Sequence, residues 1–153
     1  MGSKLLVVGV LITVLLVSLV VGCTRSSEPT PVPPSESSVL VVYQRSGGLA
    51  GLRDYLTIYS NGYCELQRKG VELEFTLQPS EVTHLKNLME EANFVGLKDS
   101  YLPTNTGADF FEYVVSYQPG MSKMHTVRAI SGAVPDALQP ILKELNQIIS
   151  SNS

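Results

Sequence analysis

The hydrophobic and polar positions divide the chain into three parts. An apolar run extends from Leu5 to Val21, with only three small or hydroxyl residues inside it. A segment dominated by proline, serine and threonine follows, from Thr24 to Ser38. From Val39 onward, apolar residues recur with the periods of strands and helices. The pattern predicts a targeting segment, a linker and one folded domain.

Four strands open the predicted domain. The first is β-branched and aromatic, and the fourth alternates between apolar and polar residues, as expected of a half-buried strand. Asn61-Gly62, between the second and third strands, is a strong signal for a hairpin turn. The predicted strands are residues 39–45, 52–59, 63–69 and 71–77, and the side chains expected to face inward on the last are Val71, Leu73, Phe75 and Leu77.

Two helices and two further strands complete the pattern. Pro79-Ser80-Glu81 predicts a helix start, with Ser80 as the N-cap. Pro140 would cost about 3 kcal/mol inside a helix, so the terminal helix either starts near Gln139 or bends there. The elements after the first helix are a turn-rich surface loop, two strands and the terminal helix, at residues 96–109, 110–118, 123–130 and 135–149.

The element order is therefore ββββαββα. It predicts an α+β domain over residues 39–150, with an antiparallel sheet of about six strands and the two helices packed on one face. About 110 residues suffice for one modest core. A signal helix (residues 1–22) and a disordered linker (residues 23–38) precede it, because a segment rich in proline and serine cannot bury enough apolar surface to fold. As an extended spacer, such a linker reaches up to about 45 Å.

The junction between the apolar run and the linker reads Val20-Val21-Gly22-Cys23. Small residues before a lone cysteine, at the end of an N-terminal apolar run, resemble the lipobox of bacterial lipoproteins. The resemblance implies a cleaved signal peptide and a mature chain that begins with lipidated Cys23. An uncleaved single-pass anchor is the alternative, since a membrane helix needs roughly 20 apolar residues. Both interpretations tether the domain to the extracytoplasmic side of a cell membrane.

Charge and cysteine content narrow the function classes. The chain has 14 acidic and 11 basic residues, and removal of the signal with Lys4 leaves 10 basic ones, for a net charge of about −4. Because Lys and Arg form no cluster, nucleic acid is not a predicted partner. A lipidated Cys23 leaves Cys64 without a partner, so no disulfide is predicted. Cys64 is expected to be a small buried apolar residue rather than a reactive thiol.

The sequence lacks the motifs of common catalytic and cofactor sites. It contains no His-Glu-x-x-His, no paired-cysteine zinc spacing and no phosphate-binding P-loop. A Gly-x-Ser-x-Gly nucleophile elbow does not occur either. We therefore expect no enzyme activity, no bound metal and no cofactor. The catalytic alternative that remains pairs His125 with Asp109.

A glycine-rich loop after the first strand is the most unusual stretch of the domain. Three glycines within five residues require special backbone angles or the close approach of another backbone. Leu49 is either tucked into the core or exposed as an apolar tip between two arginines. Since loops on a rigid sheet often carry binding sites, this loop is the candidate partner-binding site. Its residues are Arg45, Ser46, Gly47, Gly48, Leu49, Ala50, Gly51 and Arg53.

Several segments resemble emfourin-like proteins in order and spacing. The Arg-Ser-Gly-Gly stretch near the start of the domain is similar to theirs, and so are the end of the first helix and much of the C-terminal half. Together the similar segments extend from about Val39 to Ile149, which is essentially the whole domain. They are Arg45–Leu52, Glu90–Leu97, Gly107–Tyr113, His125–Arg128 and Gly132–Leu142.

The resemblance implies a small protein inhibitor of thermolysin-like zinc metallopeptidases, in which the zinc belongs to the target enzyme. Such sites favour a bulky apolar residue just past the scissile bond, and Leu49 on its glycine loop would occupy that position. The lipid anchor and the linker are departures from the family's inhibitor. The alternative function is a non-inhibitory envelope lipoprotein that acts as a structural or assembly partner.

Overall fold

The computed structural model describes residues 37–105 and 109–153. The predicted signal peptide, Cys23 and nearly all of the linker lie outside the described residues. Within the two described ranges, no helix is long and apolar enough to cross a membrane. The described residues all belong to one compact unit.

Seven strands form one sheet in the described part of the chain. They are β1 (Val39–Gly47), β2 (Leu52–Tyr59), β3 (Tyr63–Arg68), β4 (Val71–Thr76), β5 (Ser100–Tyr101), β6 (Phe111–Tyr117) and β7 (His125–Ile130). Their order across the sheet is β4-β3-β2-β1-β6-β7-β5. Every neighbouring pair is antiparallel except β5 and β7, which run parallel. β1 is thus the central strand, paired with β2 on one side and β6 on the other.

The first α-helix, α1 (Pro79–Glu91), begins one residue after its N-cap, Gln78. The prediction that Ser80 is the N-cap is therefore wrong. The side chain of Glu81 reaches back and accepts a hydrogen bond of 2.6 Å from the backbone N–H of Gln78. The backbone N–H of Glu81 in turn donates to the carbonyl oxygen of Gln78 at 2.9 Å. These bonds satisfy donors at the start of the helix and leave Ser80 as the second helical residue.

The second α-helix, α2 (Gln139–Ser151), follows a short 3-10 turn at Asp136–Leu138. Pro140 lies in the first turn of α2, where the N–H that proline lacks would have no partner within the helix. Of the two alternatives for Pro140, the start of the helix near Gln139 is confirmed.

The α+β class, the largely antiparallel sheet and the two helices are confirmed, and one strand is added to the six predicted. The additional strand is β5, within the stretch predicted to be a surface loop. Its two residues pair with Arg128 and Ala129 in β7, and the N–H of Arg128 donates to the carbonyl oxygen of Asp99 at 2.9 Å. Two residues carry no recognisable alternation, so the hydrophobic pattern does not reveal this strand.

Both helices and one face of the sheet contribute side chains to a single core. We call this side of the sheet the core face and the opposite side the outer face. On the central strands every second side chain points to the core face, as the pleat requires. Each large apolar side chain buried there stabilises the fold by about 1.5–3 kcal/mol. The outer face is mainly polar and includes Gln44, Glu65, Gln67, Glu72, Glu74, Ser116 and Arg128.

The inward pattern predicted for β4 holds only in part. Leu77, just after β4, is buried, and Leu73 and Phe75 are half-buried against the core. Val71 is 54% exposed, because it lies next to a turn on the strand at the edge of the sheet. The predicted alternation of β4 is therefore right, and Val71 lies on the core face. The expectation that Val71 packs inward is wrong, because it is not covered at the edge of the sheet.

Cys64 is fully buried on the core face of β3, as predicted. Its thiol donates a hydrogen bond to the carbonyl oxygen of Gly62, with an Sγ–O distance of 3.4 Å. Burial raises the pKa of the Cys64 thiol from 9.0 to about 12. The side chain therefore behaves as a small apolar residue at physiological pH.

We predict that the Cys64 thiol of a fragment spanning residues 31–153 resists a thiol reagent at about pH 8, because only about one molecule in ten thousand is then the thiolate. The same thiol should react quickly in concentrated guanidinium chloride. Ser122→Cys, which adds an exposed cysteine, is the control and should react in the folded state. Fast native reaction of Cys64 would contradict the burial.

The same pKa shift predicts a loss of stability in alkali. The folded state holds the thiol proton more tightly than the unfolded chain does, because the folded pKa is the higher of the two. The stabilisation from this proton is complete below about pH 9 and declines as the pH rises toward 12.

Candidate functional site

The candidate loop connects β1 to β2 as a tight turn of four residues, Gly48 to Gly51. The N–H of Gly51 donates to the carbonyl oxygen of Gly48 at 3.0 Å and closes the turn. Leu49, at the tip, is 84% exposed, and Ala50 is exposed beside it. Of the two interpretations of Leu49, the structure therefore supports the exposed apolar tip and excludes burial in the core.

The base of this loop is pressed against the start of β6. The N–H of Gly48 donates to the carbonyl oxygen of Phe110 at 3.2 Å. A β-carbon added at Gly47 would overlap that same oxygen, and Gly47 also has a φ of +117°. A β-carbon at Gly48 would lie 2.8 Å from the ring of Phe111. Gly47 thus serves the close approach of another backbone, and Gly48 and Gly51 take positive φ angles of +68° and +60°. Both explanations that the sequence offered therefore apply.

A buried carboxylate lies below the loop, between two arginines. The side chain of Asp54 on β2 is fully buried, and its Oδ2 accepts from Arg45 Nε at 3.1 Å and from Arg45 Nη2 at 2.5 Å. Its Oδ1 lies 3.2 Å from Nε of Arg68 on β3. A buried charge is tolerated only when it is paired. The three side chains come from three adjacent strands, so this ion cluster ties β1, β2 and β3 together.

The ion cluster continues to helix α2 through Asn146. The side-chain oxygen of Asn146 accepts from Arg45 Nη1 at 2.6 Å and from the hydroxyl of Tyr43 at 3.0 Å. Burial raises the pKa of Tyr43, so its hydroxyl stays protonated and remains a donor. The hairpin that carries Leu49 is therefore fastened both to its neighbouring strands and to a helix on the core face.

The structure divides the predicted site residues into two groups. Arg45 points to the core face, where all of its described contacts are internal. Ser46 and Arg53 oppose each other in the register of β1 and β2, on the outer face, and Arg53 is exposed. The exposed residues at this end of the hairpin, which a partner can reach, are Leu49, Ala50, Gly51 and Arg53.

An open groove lies beside this surface. Its volume is about 860 Å³, and the hairpins β1–β2 and β3–β4 line it. Positive and negative side chains both border it, including Arg53, Arg68, Lys69 and Glu72. The groove therefore places charged side chains beside the exposed tip.

Three residues of this site were not predicted from the sequence, namely Asp54, Arg68 and Asn146. Asp54 precedes Leu56 and Ile58 by two and four residues, so the strand period places a carboxylate on the apolar face of β2. A charge in such a position signals a buried ion pair. Nothing local in the sequence identifies Arg68 or Asn146 as its companions.

The catalytic alternative fails on geometry. His125 starts β7 opposite Tyr117, at the end of β6, whereas Asp109 precedes the start of β6. The length of β6 separates them, which is about 20 Å at 3.4 Å per residue. The Nε2 of His125 instead lies 3.1 Å from the carbonyl oxygen of Leu97. The two side chains cannot act on one substrate, because general acid–base partners must lie within hydrogen-bond reach of it.

In the described ranges, no three His, Cys, Asp or Glu side chains are grouped so that they could hold a metal ion. Comparison of the chain with protein-family models and with curated proteins gives no match.

We predict that Asp54→Ala lowers the free energy of unfolding by about 3 kcal/mol, because it leaves Arg45 and Arg68 without their counter-charge. The partial exposure of both arginines keeps the loss near the lower end of the range for buried pairs. Denaturant unfolding of the 31–153 fragment measures it. Asp99→Ala removes a carboxylate whose side chain is 89% exposed and should change stability by less than about 0.5 kcal/mol. Equal effects of the two substitutions would contradict the role of the ion cluster.

Proposed function

We propose that the protein is a lipoprotein held in the bilayer through lipidated Cys23, and that its extracytoplasmic domain inhibits thermolysin-like zinc metallopeptidases. One observation carries the inhibitory part: Leu49 is an 84% exposed apolar side chain at the tip of a braced hairpin. A single exposed leucine is ordinary on a protein surface. What distinguishes Leu49 is the way in which the loop holds it.

The loop is preorganised. Its base is bonded to β6 through Gly48 and Phe110, and the ion cluster around Asp54 fixes the two strands that enter and leave it. A rigid loop loses little conformational entropy when it enters a cleft. This supports a loop that places Leu49 in the apolar subsite of a peptidase.

The closed turn would also protect the loop around Leu49 from cleavage by the peptidase. The bond between the N–H of Gly51 and the carbonyl oxygen of Gly48 bends the backbone around Leu49. A peptidase substrate lies extended across the catalytic zinc, and a closed turn does not take that form without breaking its own bond. In this proposal Leu49 fills the subsite while the neighbouring peptide bonds stay out of line for attack.

The linker enters the domain at the end of the sheet opposite to Leu49, which is compatible with binding through the loop. Ser60 donates its N–H to the carbonyl oxygen of Ser38 at 2.9 Å, so the chain enters the domain beside the turn between β2 and β3. β1 then leads to Leu49 at the other end of the sheet, about 30 Å away at 3.4 Å per residue. A tether at Cys23 would leave the loop accessible, and it would raise the effective concentration of the inhibitor against a peptidase on the same membrane.

The second candidate function is a non-inhibitory envelope lipoprotein that acts as a structural or assembly partner. Among the described residues, no strand pairs with the outer side of β4. This edge favours the second function, because an unpaired edge offers backbone groups to another chain. Peptidase titration separates the two functions, since only the first requires Leu49.

We predict that the 31–153 fragment abolishes the activity of a thermolysin-like peptidase stoichiometrically. Leu49→Ala should raise the inhibition constant by about 30-fold or more, since truncation of a central apolar anchor costs at least about 2 kcal/mol. The matched control is Met121→Ala, which removes a fully exposed apolar side chain from the β6–β7 turn at the opposite end of the sheet. It should change inhibition by no more than about twofold.

Two results would count against this proposal. If no peptidase of a panel loses activity, the inhibitory function is wrong and the second candidate stands. If inhibition occurs but Leu49→Ala and Met121→Ala act alike, the inhibitory surface lies elsewhere.

The anchor has its own test. In a bacterial host, we expect mass spectrometry of the membrane-extracted protein to find a mature chain that starts at Cys23 and carries the added lipid mass. Cys23→Ser should abolish both processing and lipidation, because the thiol is the acylated group. A wild-type chain that retains residues 1–22 would overturn lipidation in favour of the uncleaved anchor.

A further inference from the structure

Strand β4 forms one edge of the sheet, and in the described part of the chain no strand pairs with its free side. It pairs with β3 over its whole length, from Val71 opposite Arg68 to Thr76 opposite Tyr63. Lys69 and Gly70 join the two strands and have φ values of +52° and +78°. These angles are typical of the two-residue hairpin turn that favours a right-handed twist.

The register shows which backbone groups of β4 are free. In a two-residue hairpin the flanking residues, Arg68 and Val71, form a hydrogen-bonded pair, and such pairs then alternate along the ladder. At the other end, the N–H of Leu77 donates to the carbonyl oxygen of Gly62 at 2.9 Å, in phase with this alternation. The odd-numbered residues of β4 therefore bond to β3. The N–H and C=O groups of Glu72, Glu74 and Thr76 point to the open side.

The side chains beside this open edge differ on the two faces. On the outer face Glu74 lies directly opposite Glu65, and Glu72 lies opposite Gln67. Like charges in opposed positions destabilise a sheet. The carboxylates of Glu65, Glu72 and Glu74 form no salt bridge with a described residue. On the core face the edge presents the half-buried apolar side chains of Leu73 and Phe75.

We propose that the β4 edge docks an extended segment of a partner protein in which Lys or Arg alternates with apolar residues. The backbone of the segment pairs with the free groups of Glu72, Glu74 and Thr76, in the manner of strand addition. Its cations face the carboxylates of the outer face, and its apolar side chains cover Leu73 and Phe75. This inference does not rest on peptidase inhibition, which uses the other hairpin.

The charge pattern favours such a partner over a second copy of this chain. Antiparallel pairing of two β4 strands through their free groups places Glu72 or Glu74 of one copy opposite Glu72, Glu74 or Thr76 of the other. At least one pair of carboxylates then lies within repulsive distance in each of these registers. Charged edges also protect natural sheets from self-association. A basic partner segment is instead attracted by the carboxylates of Glu72 and Glu74.

The test uses two capped hexapeptides of equal composition and the 31–153 fragment, which contains every residue of the core. One peptide alternates lysine and valine, and the other has three lysines followed by three valines. In NMR titrations we expect the alternating peptide to shift the amide signals of Glu72, Glu74 and Thr76. The block peptide should bind at least about tenfold more weakly, because only the alternating order satisfies both faces of the strand.

Two further measurements separate strand addition from simple charge attraction. The double variant Glu72→Gln, Glu74→Gln should weaken binding of the alternating peptide by about tenfold or more. The matched control is Glu90→Gln, Glu91→Gln on α1, which removes two exposed carboxylates away from the edge and should have little effect. N-methylation of every second residue of the peptide should abolish binding, because it removes the N–H groups that pair with β4.

Several outcomes would overturn the proposal. The first is that the alternating peptide does not bind, and the second is that the block or N-methylated peptide binds equally well. The third is that the shifted NMR signals all belong to residues outside β4, and the last is that the domain self-associates through β4. The first three remove strand addition by a basic segment, and the last replaces the partner with a second copy.

Discussion

The carboxylate of Asp54 is the group on which the candidate site depends. Its charge is buried, and burial of a charge is costly unless partners surround it. Arg45 and Arg68 supply those partners from the strands on either side of β2, so a single carboxylate fixes the register of three strands. Asn146 extends the constraint to a helix. The loop that presents Leu49 begins three residues beyond Arg45, and its position follows from this cluster.

Much of the fold could be predicted because it depends on local pattern. The alternation of apolar residues identified six of the seven strands, and Asn61-Gly62 identified a hairpin turn that is present. Cys64 was recognisable as a core residue because it lies on a predicted strand and no basic side chain stands next to it to activate the thiol. The glycines at the end of β1 predicted an unusual backbone. The sequence did not identify Phe110 as the neighbour whose carbonyl oxygen leaves no room for a β-carbon at Gly47.

The features that could not be predicted depend on strand register and on contacts between residues distant in the sequence. Arg45 was predicted to flank the tip, yet it lies on the core face because the hairpin sets it opposite Asp54. The exposure of Val71 follows from the place of β4 at the edge of the sheet, which strand order decides and local pattern does not. β5 exists only through its pairing with β7, since two residues have no period of their own.

The central place of β1 has a mechanical consequence. The chain enters the domain at one end of this strand, and the exposed loop lies just past its other end. If a partner on Leu49 and an anchor at the N-terminus are pulled apart, the force runs along β1. It then loads the hydrogen bonds to β2 and β6 in shear and all together, rather than opening them one after another. Under such a load the bonds of both strand pairs would have to yield together, because β1 is paired on each side.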